Sequence, residues 1–509
     1  CTFHDIKSAG SGGGICYYDI SKQLIVEDCT FKQVQTTGEN KIGGAIYVAE
    51  QNSYQLISIT GSIFENTNSN EGGAIYITCA ESSNTEIKID GCNFLNTHAS
   101  SKGHSIIILK TNDNKVPVTN CIFTDCGDNR ITYAVILNVK NLECNNNAFS
   151  FSNIEKNSGC IHLEQIGTHE FIGNTFSNAQ VNDDIGRSSG INYEKEVDIT
   201  SLLIQNNTFD NIGGQHKGSC FSFTVQNSEV IRIINNTIQN CKSGSPFFRV
   251  SFTSDQTKFE IESMRFISDS IGTTYDSTMG STPQFIVENP LNQGSNYPAE
   301  LELLLSDCYF YENYNPNAGG ALSYATSNSL SNTKLHLENC QFIGNTGGQG
   351  DGALCIRCYH GLICEDCNFT RNKSNGGNGI ISIETKFNSR KDGQDLPPVL
   401  ATNPEINFLR CNFEKEETTA NEIFISSSES ATVQIQQCTF TDSINKGYIA
   451  YIDEDKIEKV SIANCSFLFS DSENSAAAVL SSRDKIEFIG NTFQKCNSNM
   501  IQFEGQNDN

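Results

Sequence analysis

A [Cys/Asn]-x-Phe triplet returns along nearly the whole 509-residue chain, and a feature that recurs at a near-constant period restricts the fold to a stack of equivalent units. The copies are Cys1-Thr2-Phe3, Cys29-Thr30-Phe31, Cys92-Asn93-Phe94, Cys121-Ile122-Phe123, Asn174-Thr175-Phe176, Asn207-Thr208-Phe209, Cys308-Tyr309-Phe310, Cys340-Gln341-Phe342, Cys367-Asn368-Phe369, Cys411-Asn412-Phe413, Cys438-Thr439-Phe440, Cys465-Ser466-Phe467 and Asn491-Thr492-Phe493. Degenerate copies at Phe64, Phe149, Ile238 and Phe266 bring the units to 17. Successive anchors lie 26 to 33 residues apart, except in two units of 44.

Within each unit the apolar runs are short and alternating, as in Ala45-Ile46-Tyr47-Val48, Ala74-Ile75-Tyr76-Ile77 and Val433-Gln434-Ile435. That is the period of strands, two or three per unit, separated by Gly, Asn and Ser turns. A stack of such units is a single right-handed parallel β-helix, all-β, in which each coil pairs with the coils on either side. The phenylalanines are expected to stack inside within about 6 Å of one another. The Cys or Asn two positions earlier points the same way, Cys as a small buried hydrophobe and Asn as a rung of a side-chain amide ladder.

Six of the nine prolines, Pro283, Pro290, Pro298, Pro397, Pro398 and Pro404, fall in the two long units, which therefore read as ordinary coils carrying loop insertions at about 270–299 and 386–403. No linker or composition break separates the repeats, so residues 1–509 read as one β-helix domain. The chain opens inside a repeat at Cys1 and reads as a segment of a longer or processed protein. A net charge of −25 excludes nucleic acid as a partner, since no basic stripe is present to neutralise phosphates. No apolar run approaches the length of a membrane span.

The chain has 21 cysteines. Those of the triplet form either a buried thiol ladder or, in an oxidising compartment, disulfides between adjacent coils such as Cys92/Cys121, Cys308/Cys340/Cys367 and Cys411/Cys438/Cys465. Cys355, Cys358, Cys364 and Cys367 suggest zinc at first sight. Their pairs lie closer together than in zinc ribbons, and a strand over Ala353 to Cys358 turns positions i and i+3 to opposite faces, so local disulfides or thiols fit better and no metal is assigned. Glycosylation sequons stand at Asn206, Asn235, Asn368, Asn372 and Asn464, a number that this Asn-, Ser- and Thr-rich composition produces by chance. Asn206 and Asn235 lie beside the triplet, where an inward side chain would leave no room for a glycan, and Asn372 reads as the most accessible.

Catalytic signals are thin. A polygalacturonase-like site orders Asn-Thr-Asp, Asp-Asp, Gly-His-Gly and Arg-x-Lys; here Asp183-Asp184, Gly103-His104-Ser105 and Arg371-Asn372-Lys373 come in another order and far apart, and each suits a turn or coil position. His162, Glu164, His169 and Glu170 fit a solvated strand face. With no Trp, the commonest sugar-stacking platform is missing. No catalytic residue and no cofactor is assigned.

The tetrapeptides Gly43-Gly44-Ala45-Ile46, Gly72-Gly73-Ala74-Ile75 and Gly319-Gly320-Ala321-Leu322 resemble the GGA[I/L/V] motif of the polymorphic outer membrane protein repeats. The companion FxxN appears at Phe310-Tyr311-Glu312-Asn313, Phe342-Ile343-Gly344-Asn345 and Phe369-Thr370-Arg371-Asn372. The resemblance implies an extracellular or surface-displayed β-helix serving adhesion. The expected function is accordingly non-catalytic adhesion or surface recognition through the two insertions, with a protein or glycan of a cell or matrix surface, or further copies of the chain, as partner. The alternatives are a structural subunit of an extracellular filament or coat, and a polysaccharide lyase or glycoside hydrolase.

Overall fold

The chain is all-β, a parallel β-solenoid, and the computed structural model contains no helix among the described residues. Described are residues 1–509 except 19–22, 51–55, 81–83, 128–131, 153–157, 166, 182–188, 194–198, 215–219, 226–229, 244–247, 253–257, 272–283, 288–299, 317–318, 327–331, 349–350, 358–360, 386–403, 419–420, 428–430, 443, 446–449, 454–456, 469–477, 481–484, 496–500 and 504–509. Two compact units are formed by Cys1–Arg249 and Val250–Asn509.

In the first unit the triplet strands pair in parallel so that Phe3, Phe31, Phe64, Phe94, Phe123, Phe149, Phe176, Phe209 and Ile238 stand in one row. Adjacent rings there stack with centroids 4.5 to 5.2 Å apart. The second unit repeats this with Phe266, Phe310, Phe342, Phe369, Phe413, Phe440, Phe467 and Phe493, at 4.7 to 5.0 Å. The expected aromatic ladder is present, and Phe342, Phe369 and Phe440 are fully buried.

From Ile63–Glu65 onward each triplet strand is three residues long, and left-handed residues flank most of them. One precedes the triplet, as at Asn120, Asn206, Asp307 and Asp366, and a second follows two residues after the phenylalanine, as at Asn66, Asn96, Asn178 and Asn211. Asn, Asp and Gly enter that conformation most easily, which accounts for the abundance of Asn. Gly72 also lies in it at φ +59°, and a Cβ on Gly73 would fall 2.1 Å from the His104 carbonyl oxygen, so the GGA motif marks a corner too tight for side chains.

Cys and Asn alternate at the first triplet position because they do the same work at the corner. The Asn174 amide donates to the carbonyl of Cys144 in the preceding coil at 2.7 Å, and the Cys340 thiol donates to the equivalent carbonyl of Leu305 at 3.4 Å. Each also serves as acceptor: Asn147 N–H donates to Asn174 Oδ1, and Cys340 N–H to Cys367 Sγ. Cys here is a hydrogen-bonding residue as well as a small hydrophobe, and each closes a backbone group that burial would leave unsatisfied.

The insertion at 386–403 lies outside the described residues. The stretch 270–299 differs from the expected single loop: Ser270 pairs with Tyr314, and the strand Gln284–Val287 pairs in parallel with Leu322–Thr326. At least those residues belong to the regular coils, and the prolines around them had suggested otherwise.

Candidate functional site

Charged side chains gather on one outward sheet face of the second unit. In the strand Asn332–Glu338, Leu335 and Leu337 are buried, which by strand alternation turns Lys334, His336 and Glu338 outward. The strand Gly361–Glu365 pairs beside it, with His336 opposite Ile363 and Glu338 opposite Glu365. Glu405–Leu409 follows, placing Asn407 opposite Ile363, and Ala431–Gln436 places Gln434 opposite Asn407. Residues 27 apart in sequence thus become neighbours one coil apart.

Glu365 is the centre of this group. His336 Nε2 stands 3.9 Å from Glu365 Oε1, and Arg410 Nη2 stands 3.3 Å from Glu365 Oε2. Arg410 also grips Asp366 through a two-pronged fork, Nε to Oδ1 and Nη2 to Oδ2, both 2.7 Å. That guanidinium holds the Asp366 carboxyl below the usual carboxylate range, and the two carboxylates push the Arg410 pKa up. Arg410 and Asp366 meet because both occupy the left-handed corner just before a triplet cysteine, in adjacent coils. Lys334 Nζ lies 3.8 Å from Glu405 Oε2. Among the described residues Glu338 forms no ion pair, and it is exposed.

The first unit carries a comparable pair of carboxylates, bridged by one lysine. Glu143 stands opposite Glu170, and Lys115 bridges them at 3.3 and 2.7 Å, with its own pKa raised chiefly by the Glu170 carboxylate.

The residues singled out from the sequence lie elsewhere. Cys355 is buried beside Asp351, and Cys364 and Cys367 are buried; Cys358 lies outside the described residues. Among the described residues no group of three or more His, Cys, Asp or Glu is placed to hold a metal ion. His104 is buried, with Nδ1 accepting from the Ala99 N–H at 3.1 Å. The expected solvated face around His162 is corrected. His169 points inward, within 3.0 Å of the Tyr193 hydroxyl and 3.1 Å of the Val139 carbonyl oxygen, and burial lowers its pKa to about 4. His162 stacks on Tyr133 at 5.0 Å. Asp183 and Asp184 lie outside the described residues, and Arg371 is an exposed left-handed turn residue.

Two sequon expectations are also corrected. Asn372 is completely buried, its amide donating to Phe342 O and to Glu416, because the position three after the phenylalanine points inward. Asn206 and Asn235 occupy left-handed corners and are exposed, as are Asn368 and Asn464.

No protein-family model matches this chain, and no curated protein sequence does. Among solved structures, a point mutant of the PL6 family alginate lyase AlyGC is similar over 99% of this chain and 96% of its own, at 10% identity and a TM-score of 0.21. That overlap is too slight to transfer a residue or a substrate. The expectation of non-catalytic adhesion is set against a neighbour named a lyase, and the repeats, in which no catalytic residue was assigned, bring a grouping of His336, Glu338, Glu365 and Arg410 together on one face. The repeats concealed it because each coil contributes only one or two of its members.

Proposed function

We propose that this chain is an extracellular polysaccharide-cleaving enzyme whose reacting groups are Glu338 and Glu365. The observation that carries the reading is their register: two carboxylates directly opposite on adjacent parallel strands, with His336 beside one of them. Adjacent strands lie about 4.8 Å apart, and retaining glycoside hydrolysis needs two carboxyl groups about 5 Å apart. Glu365, with a guanidinium 3.3 Å away, acts as the nucleophile that attacks the anomeric carbon. Glu338, free of ion pairs among the described residues, gives its proton to the departing oxygen and then takes one from the attacking water. His336 positions Glu365. Asn407, Gln434 and Gln436 line the neighbouring strands with donors and acceptors for sugar hydroxyls.

The charge balance supports a neutral glycan as substrate. Glu338, Glu365, Asp366 and Glu405 outnumber Lys334 and Arg410 on this face, and the whole chain carries −25, so a polyuronate would be repelled. A second reading, β-elimination from a polyuronate, is favoured by His336 and Lys334 standing on one strand as base and carboxylate-neutralising cation. Extracellular placement is supported by the likeness of the Gly-Gly-Ala and FxxN repeats to those of surface-displayed proteins, and four of the five sequons are exposed for glycans.

Incubating the purified chain with neutral polysaccharides and with polyuronates separates the readings by product. New reducing ends without ultraviolet absorbance mark hydrolysis, and unsaturated uronides mark elimination. Glu365→Gln should reduce hydrolysis by at least about 100-fold. Absence of cleavage across both classes would refute the proposal.

A further inference from the structure

Among the described residues, each unit brings two thiols from non-equivalent positions of successive coils into direct contact. Cys220 Sγ and Cys241 Sγ are 3.7 Å apart in the first unit, and Cys364 Sγ and Cys411 Sγ are 3.7 Å apart in the second. All four side chains are buried at 0 or 1% exposure. Neither pair joins equivalent positions of the repeat. Cys411 opens a triplet whereas Cys364 lies three residues before the triplet of the preceding coil, and Cys241 lies three residues after Ile238 whereas Cys220 belongs to the segment leading into a different strand. The contacts therefore cross the solenoid corners, where the chain bends and brings the side chains of successive coils toward one point.

We propose that these are two modification sites, cross-coil disulfides Cys220–Cys241 and Cys364–Cys411, formed under a thiol-oxidising disulfide such as glutathione disulfide. In each, the two thiols lose two protons and two electrons as the S–S bond forms, and the oxidant is reduced to two thiols. Closing from 3.7 Å to bonding distance requires the two sulfurs to approach by under 2 Å, within the reach of side-chain rotation and a small corner shift. Burial keeps dissolved oxidant away from the finished solenoid, so the bonds form while the coils are still assembling. They would tie segments separated by 21 and 47 residues, and so remove chain entropy from the unfolded state. Cys411 Sγ also stands 3.2 Å from the Cys364 carbonyl oxygen, as the thiols of Cys340, Cys367 and Cys438 stand near backbone carbonyls of the coil before, so the Cys364–Cys411 bond forms at the expense of one corner hydrogen bond.

The test is refolding of the full chain in a glutathione redox buffer, followed by denaturation, alkylation, proteolysis without reductant and mass spectrometry. The expected result is two linked peptide pairs, each lighter by two hydrogens, joining Cys220 to Cys241 and Cys364 to Cys411. The thermal midpoint should then rise by about 5 to 10 °C relative to the reduced protein, a difference that disappears in Cys241→Ala/Cys411→Ala. Complete alkylation of these four cysteines, or linkage of triplet neighbours such as Cys340 and Cys367 in their place, would overturn the proposal. If the double variant does not fold, peptide mapping of the wild-type chain alone decides the outcome.

Discussion

The two units close their corners with the same device set at different places. In the first, the position two before the phenylalanine passes from Cys29, Cys92 and Cys121 to a run of Asn147, Asn174, Asn207 and Asn236, in which three Nδ2 to Oδ1 bonds of 2.9 to 3.1 Å link successive amides. In the second, that position is held by Cys308, Cys340, Cys367, Cys411, Cys438 and Cys465, and the amides move to three after the phenylalanine, as Asn313, Asn345 and Asn372 at 2.9 to 3.0 Å. The second ladder also ends differently, with Asn372 donating from both its backbone and its amide to the Glu416 carboxyl at 3.1 and 3.2 Å. The difference shows what the solenoid demands at a corner: a short side chain that can both donate and accept. Which of the two corners carries the amide is interchangeable.

The largest expected effect is at a mid-ladder amide. Asn345→Leu strands the Asn313 N–H and Nδ2 and the Phe310 carbonyl together, and should destabilise the second unit by about 4 kcal/mol in denaturant unfolding. Asn174→Leu should cost the first unit a similar amount. A several-fold inequality between the two would break the equivalence of the corners.

Next in size is the effect of pH on the second unit. Burial raises the Asp351 pKa from 3.8 to about 7, although the N–H groups of Asn378 and Gly379 and the Cys355 thiol work against it. Burial and the nearby Glu422 carboxyl raise that of Glu416 well above the ordinary value. An acid whose pKa is higher folded than unfolded contributes stability that is full below the unfolded value and is lost as pH rises through the folded one. Stability should therefore fall between about pH 4 and 7 as Asp351 titrates, by roughly 4 kcal/mol at most. Unfolding midpoints measured across that window should flatten in Asp351→Asn, and a slope unchanged by the substitution would remove Asp351 from the account.

Smaller still is a thiol rung. Cys340→Ala deletes one S–H to carbonyl bond and little volume, and should cost about 1 to 2 kcal/mol, less than half the amide effect. Smallest is an exposed rung: Asn235→Ala removes the 2.7 Å bond to Asn206 in solvent and trades an Asn for an Ala at a left-handed corner, for about 1 kcal/mol. A larger loss there than at Cys340 would reverse the ranking of buried over exposed ladders.

Much of this architecture was legible in the sequence. The triplet period set the row of phenylalanines, and the strand alternation around it set the buried faces, because both depend only on spacing. The corners were less legible. That Asn372 is a buried rung, while Asn206 and Asn235 face solvent, depends on the two left-handed residues that reverse the alternation, and a left-handed φ at Arg371 or Arg410 has no marker in the residue type. The candidate site was hidden for a related reason. Glu338 and Glu365 each stand two residues before a triplet cysteine, so the repeat register contained their pairing, but the His336 and Arg410 contacts to Glu365 come from side chains meeting across three coils. Strand Gln284–Val287 was misassigned to an insertion because the prolines around it outweighed four residues of weak alternation.

The central claim, that Glu338 and Glu365 form a working carboxylate pair, is tested most directly by incubating the wild-type chain, Glu338→Gln and Glu365→Gln with the same panel of neutral polysaccharides and polyuronates and quantifying reducing ends. The account predicts cleavage of a neutral polysaccharide by the wild type and a loss of at least about 100-fold in each variant, with all three proteins unfolding at similar temperatures. Cleavage undiminished in both variants, or none by the wild type on any substrate, would contradict it.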